Sequence, residues 1–390
     1  MYDVLKGVRV VEVAEWIFVP AAASILADWG ADVVKIEHPR RGDAVRALSP
    51  VNFEVSNRGK RSVGLDISQP RGREILEDLI RDADVFMTNF MGGARRRLGI
   101  ESSDLLEKYP QLIYARGTGH GIRGPAADKG GFDWAATWCR SGIAHKLTQP
   151  GQRPPGMPGS VGDLTGAIAL AGAVSAALFR RERTGQGAVV DHSLYAAGAW
   201  MMSQEILRTS IETREPELQI GGINPLIQTY RTSDGRWIAL CFLQGDRWWP
   251  DLCRHLERPD LADDVRFAEQ DARLAHGREC TDLLETIFAT KTFAEWMTIL
   301  DTLEGVWAPV QSAIEVAADP QALINGIVTE VAGPDGGGHF AAASPGQFDE
   351  RLIGELSTSP EAWQNTEEVL LELGLDWSDI AELQASGVVP

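Results

Sequence analysis

Apolar and polar positions change their period several times along the chain. Residues 7–14, GVRVVEVA, form a β-branched run that reads as a buried strand. Residues 20–30, PAAASILADWG, read as a helix with proline in its first turn and glycine at its end. A second strand is predicted at 31–37. Strand, helix and strand in that order predict a parallel, Rossmann-like unit. Further strands are predicted at 61–67, 84–90 and 112–117, with a helix over 70–82. The first 120 residues are thus an α/β sheet whose ligand loops lie at the carboxyl ends of the strands.

The longest apolar stretch runs over 164–179 and predicts a helix buried on most sides. Gly162-Asp163 opens it, Arg180 to Arg183 carry it to solvent, and Thr184-Gly185-Gln186-Gly187 stops it before a strand at 188–194. Asp163 suits a helix cap, where a carboxylate accepts free backbone N–H bonds at the positive end of the dipole. The helix pattern alone favours the cap, with a reactive carboxylate as the other reading.

Residues 117–160 are rich in glycine, proline and polar residues. So long a connection carries function or packs as an irregular layer. A helix is predicted at 196–208 and a polar linker at 209–224. A β-hairpin follows at 229–240, turning at Ser233-Asp234-Gly235. Short amphipathic helices fill 247–303, 333–346 reads as a flexible connection, and helices are predicted at 361–373 and 377–386. The expected division is a large domain at 1–200, a linker at 201–224, a small α+β domain at 225–320, and a linker with returning C-terminal helices at 321–390.

Composition narrows the function classes. A chain of 390 residues has room for two or three domains, and 44% hydrophobic with 24% charged residues is ordinary globular usage. The net charge of −18 argues against nucleic acid or an anionic membrane as main partner. It leaves room for anionic small molecules at local basic patches. The N-terminus lacks the layout of a signal peptide, and no stretch is expected to reach the length of a membrane span. The four cysteines and seven histidines show no metal-ligand spacing, so we expect reduced thiols, no metal and a cytoplasmic protein. No GxGxxG follows the first strand, which disfavours a nicotinamide or flavin dinucleotide. Asn57-Arg58-Gly59-Lys60-Arg61 and Arg95-Arg96-Arg97 are candidate phosphate grips.

The motifs then accumulate in one order: LKGVRVVEVA, LADWGADVVKIEHPRRGD, NRGKRSVGLDI, DVFMTNFMGGARRRLGI, GGFDWAATWCRSG, GDLTGAIALAGAVSAALFRRERTGQGAVVDHSL and TYRTSDGRWIAL. Together they resemble the family III CoA-transferases, the CaiB/BaiF group. The resemblance implies a Rossmann-like large domain built from both chain ends, a smaller domain between them, and a homodimer of interlocked rings. It implies transfer of CoA from an acyl-CoA thioester to a free carboxylic acid. Asp163 would be the nucleophile, passing through a mixed anhydride and an aspartyl-CoA thioester. The helix N-terminus would keep that carboxylate ionised. Coenzyme A contacts carried over from the family are Glu15, Trp16, Ile17 and Phe18 at the thioester and pantetheine. Arg40 or Arg41 would reach the 3′-phosphate and Leu65 the adenine. Asn89 and Phe90 would lie by the pantetheine, and Arg97 on the diphosphate with Leu98 beside it. Phe132 and Asp133 would flank the active site.

Two departures from the resemblance bear on substrate. Ile17-Phe18-Val19 replace a small Ala-Gly pair before Pro20, and Gly221-Gly222-Ile223-Asn224-Pro225 stand where the formyl-CoA type has a richer glycine flap. Both speak against formate–oxalate exchange and for a larger, more apolar acyl group. An α-methylacyl-CoA racemase is one alternative. It needs a histidine where Phe132 stands, and His120 and His145 occupy other positions. A non-catalytic protein that binds CoA thioesters is the other.

Overall fold

A computed structural model describes residues 2–212, 224–331 and 338–390. The chain forms two compact units, one from residues 1–216 and 317–390, the other from 217–316. Parts of the expected linker, of the flexible connection and of the glycine flap fall outside the described residues.

The first unit is built on six parallel strands: β1 (Arg9–Val13), β2 (Asp32–Glu37), β3 (Arg61–Gly64), β4 (Val85–Thr88), β5 (Ile113–Thr118) and β6 (Ala188–Ser193), in the order β3-β2-β1-β4-β5-β6. The predicted strands are all present; β5 is shifted by one residue and the others are shorter than their apolar runs. This order reverses between β1 and β4, so a crevice opens at their carboxyl ends. The helices before the long apolar one are α1 (Phe18–Asp28), α2 (Ala44–Leu48), α3 (Pro50–Asn57), α4 (Pro70–Arg81), α5 (Gly92–Leu98), α6 (Ser102–Lys108) and α7 (Ile143–Lys146). The sequence pattern foretells only α1 and α4 of these. α2, α3, α5 and α6 have five to eight residues, too short to set up a periodic stripe.

The apolar helix is α8 (Val161–Thr184), ended as expected by Gly185 in the left-handed region at φ +70°. One core layer joins α8 to α1 through Leu170, Val174, Ala22 and Leu26. The opposite sheet face packs Ile75, Leu76 and Ile80 of α4 against the C-terminal helices Thr366–Glu372 and Trp377–Ala385. Two expectations about α8 are corrected. It is long and apolar enough, by length and composition, to cross a membrane, and half of its most apolar window is buried in this unit. It is also buried on one face only, since Ile168, Ala169, Gly172, Ala173, Ala176 and Phe179 face outward. The following helix breaks at Met202 into α9 (Leu194–Met201) and α10 (Ser203–Glu212).

The second unit holds the predicted hairpin, Ile227–Arg231 and Trp237–Cys241, with Gly235 at φ +82° in the turn. A third antiparallel strand, Trp307–Pro309, completes its sheet. Helices Gly245–His255, Gly277–Phe288 and Phe293–Leu300 close over the hairpin around Trp249, Trp296, Tyr230 and Phe288.

Candidate active site

The crevice between β1 and β4 is bridged by a side-chain clasp. The Glu15 N–H donates to Asn89 Oδ1 at 3.1 Å, and Asn89 Nδ2 donates to the Glu15 carbonyl at 2.5 Å. The loop after β1 is thereby tied to the loop after β4. Two clefts open on either side of this clasp, of about 450 and 480 Å³. They share Trp16, Asn89, Phe90 and Met91 as a common wall.

The first cleft is lined by Glu15, Arg41, Leu65, Arg97 and Leu98, with His38 and Ser68. Arg41 reaches Glu15 Oε1 at 3.2 Å and is largely exposed. Burial lifts the Glu15 carboxyl above its usual range, against the pull of Arg41. Arg40 does not line this cleft; its guanidinium lies toward Gly387. Of the two arginines the sequence offered, Arg41 is the one at the cavity.

The second cleft is lined by Ile17, Phe18, Phe132 and Asp163, with Gly117–Gly119 and Gly130–Gly131. Phe18 is largely buried. A Cβ on Gly117 would stand 2.8 Å from its ring, as would one on Gly166. Val19 is fully buried and sits against Gly117 too. The bulk of Phe18-Val19 is therefore accommodated by two glycines on neighbouring elements.

Asp163 sits in the first turn of α8 and is 8% exposed. It is not the cap. Ser160 is the N-cap residue, in the left-handed region at φ +58°. Among the described residues the Asp163 carboxylate accepts no hydrogen bond and forms no ion pair. Burial, joined by the charge of Asp133, pushes it up to about 7. Burial and the Asp133 charge thus work against the ionisation that the helix end was expected to favour.

Asp133 is buried just outside the lining. Its Oδ1 accepts from the Trp134 N–H at 2.7 Å, while Oδ2 has no hydrogen-bond partner among the described residues. It begins a π-helical turn, Trp134–Cys139, inside the long irregular segment. That turn packs onto α8 at Gly162, where a Cβ would meet Asp133 Cβ and Thr137 Oγ1 at 2.7 Å. Glycine before Asp163 is thus a packing requirement.

The first basic cluster is not a phosphate grip. Arg58 binds Asp28 at 2.8 Å, Lys60 binds Glu12 at 2.6 Å, and Arg61 binds Asp32 at 2.6 Å and Glu372 at 2.8 Å. Each faces a carboxylate distant in sequence, which the local charge run does not reveal. In the second cluster Arg95 is buried and shares Glu101 with Arg116, leaving Arg96 and Arg97 exposed. Arg116, Glu101 and Lys129, all lining the second cleft, were missed by the sequence reading. So was Asp43, whose signal is an aspartate capping the helix after β2. Among the described residues no cluster of three or more metal-ligand side chains occurs.

A six-stranded parallel sheet with a buried carboxylate at its switch-point crevice defines an α/β ligand-binding fold with a site fit for acyl chemistry. The sequence profile of CoA-transferase family III matches residues 5–365. The (R)-2-hydroxy-4-methylpentanoate CoA-transferase of Clostridioides difficile is 32% identical, over 99% of this chain and 99% of its own. The cinnamoyl-CoA:phenyllactate CoA-transferase of Clostridium sporogenes is 30% identical over 98% and 96% of the two chains. A CaiB/BaiF family protein of Brucella suis superposes with a TM-score of 0.82 at 28% identity, covering 95% of this chain and 99% of that one. The chain belongs to CoA-transferase family III. It is a CoA-transferase, and CoA is the substrate of that class. Full-length matches to enzymes so named do not favour the racemase or the non-catalytic alternative.

Proposed function

We propose that Asp163 is the nucleophile of acyl-CoA:carboxylate CoA transfer. The observation that carries this reading is a buried carboxylate, unpaired among the described residues, on the wall of a cleft at the first turn of α8. The carboxylate attacks the donor thioester carbonyl, forming an acyl-aspartyl anhydride and releasing CoA thiolate. The thiolate attacks the aspartyl carbonyl, giving aspartyl-CoA and the free donor acid. The acceptor carboxylate then attacks aspartyl-CoA, and the returning thiolate takes the acceptor acyl group and restores Asp163. Several easier exchanges replace one hard one. A weak nucleophile gains from a dry site, and the free N–H groups of the first turn of α8 are suited to the developing oxyanion.

Coenzyme A, on this reading, spans both clefts. The first takes the nucleotide end, with Leu65 at the adenine, Arg41 at the 3′-phosphate, and Arg97 with Leu98 at the diphosphate. Glu15, Trp16, Asn89 and Phe90 carry the pantetheine across, and Ile17, Phe18 and Phe132 meet the acyl end. Asp133 modulates the nucleophile without touching the acyl group. The apolar wall supports a branched or aromatic acyl group, in keeping with the names of the two clostridial relatives.

We also propose a cytoplasmic homodimer, interlocked as the family resemblance implies. The outward apolar face of α8, with Trp200, Ile206 and Ile211 exposed on α9 and α10, supports a partner subunit there. Initial-rate assays with branched, aromatic, formyl and oxalyl thioesters test the substrate reading; strict preference for formyl- or oxalyl-CoA contradicts it.

A further inference from the structure

Beneath the loop joining β1 to α1 lie four charged side chains wholly out of contact with solvent. Lys60 Nζ meets Glu12 Oε2 at 2.6 Å, Glu12 Oε1 meets Lys35 Nζ at 2.8 Å, and Lys35 Nζ meets Asp43 Oδ2 at 2.9 Å. Burying charges is costly unless each finds a partner, and here the four form one chain of alternating sign. Three of the four also hold main-chain groups of the loop or of the first turn of α1 that follows it. Lys35 donates to the Ala14 carbonyl at 2.9 Å, the Trp16 N–H donates to Asp43 Oδ1 at 3.2 Å, and Lys60 donates to the Pro20 carbonyl at 2.8 Å. The loop is thereby held before, within and after its turn.

Trp16 stands at that turn with φ +73°. A bulky side chain rarely adopts this conformation, and glycine would take it without strain. Tryptophan at this position brings a ring, and the ring is placed. It stands edge-on to Phe132, with centroids 5.1 Å apart and planes at 79°. Both rings line the cleft that contains Asp163.

We propose that Asp43 is a positioning residue that holds Trp16 in its left-handed conformation, and that the ring so placed selects which acyl groups are presented to Asp163. The inference rests on the reading of the second cleft as the acyl site. Asp43 touches no substrate; it acts through the Trp16 N–H. The Trp16 ring supplies apolar surface to a branched or aromatic acyl group and little to an acetyl group.

The test compares acylation of the full-length enzyme by 3-phenylpropanoyl-CoA and by acetyl-CoA, with melting temperatures measured alongside. The CoA moiety common to both donors cancels in the ratio of their kcat/KM values. Trp16→Gly suits the backbone and removes the ring. It is expected to lower the phenylpropanoyl-to-acetyl ratio by about tenfold or more, with the melting temperature held. Asp43→Ala lowers both the ratio and the melting temperature. Asp43→Asn keeps an oxygen for the Trp16 N–H while losing the charge opposite Lys35. It lowers the melting temperature but leaves the ratio within about threefold of wild type. An unchanged ratio in Trp16→Gly overturns the proposal. So does equal loss of the ratio in Asp43→Asn and Asp43→Ala, which marks Asp43 as structural only. If Asp43→Ala does not fold, the Trp16→Gly and Asp43→Asn ratios decide. Wild type that is acylated by neither donor overturns the reading of Asp163 itself, and this proposal with it.

Discussion

Asp133 packs against the first turn of α8 at Gly162, and its charge adds to burial in lifting the neighbouring Asp163 carboxyl to about 7. Two carboxylates brought together out of water cannot both ionise freely. The proposed nucleophilic attack by Asp163 needs its carboxyl ionised. In the free enzyme kcat/KM for acylation should therefore rise about tenfold per pH unit below 7 and level off above it. Asp133→Asn removes the repelling charge and should move that midpoint to lower pH. Rapid-quench acylation between pH 5 and 9 checks this; a midpoint unmoved by Asp133→Asn contradicts the coupling.

The same shift bears on stability. A carboxyl raised from 3.8 to about 7 binds its proton more tightly in the folded state than in the unfolded chain. Between those values the unfolded state carries fewer protons, so stability falls as pH rises. Below about pH 4 both states are protonated and the penalty vanishes. Asp163→Asn should therefore stabilise the ligand-free enzyme by about 2–4 kcal/mol at pH 8, and by progressively less on acidification. Denaturant melts at pH 5 and pH 8 give the comparison.

Gly162 allows the π-helical turn to approach α8. A methyl group there meets Asp133 and Thr137 at 2.7 Å, so Gly162→Ala should cost about 1–3 kcal/mol and displace Asp133 from its neighbour. Acylation should fall with it, whereas Gly172→Ala, on the open outer face of α8, should be neutral or slightly stabilising to the isolated fold. Melts and acylation rates of the two variants side by side separate the outcomes.

Asn89 clasps Glu15 as both donor and acceptor. Asn89→Asp keeps the acceptor and loses the donor to the Glu15 carbonyl, leaving two oxygens facing each other. A drop of about tenfold or more in kcat/KM is expected, with CoA affinity measured by calorimetry falling in parallel. An unaffected affinity would dissociate the clasp from CoA binding.

The strands, α1, α4 and α8 were legible because their apolar runs are long enough to carry a period. Asp163 was singled out through the resemblance, not through its surroundings, and the structure puts it on the wall of the second cleft. The charges were not legible. Glu12 interrupts β1, and only its long-range partners Lys35 and Lys60 explain it. Arg58 and Lys60 read as a solvent-facing basic run because Asp28 and Glu12 are far away in sequence. The left-handed backbone of Trp16 has no local signal at all, since the group that fixes it, Asp43, follows a whole strand later. Likewise the sequence shows the bulk of Phe18 but not that Gly117 and Gly166, far along the chain, receive its ring.

The proposed mechanism requires Asp163 to bond covalently to substrate. Wild type and Asp163→Asn, incubated with a panel of CoA thioesters and quenched, would be read by intact mass and then by peptide mapping. An acyl- or CoA-sized adduct is expected on the peptide containing Asp163, absent from the variant. Thioesters that bind and turn over without any adduct at Asp163, or an adduct retained in Asp163→Asn, would contradict it.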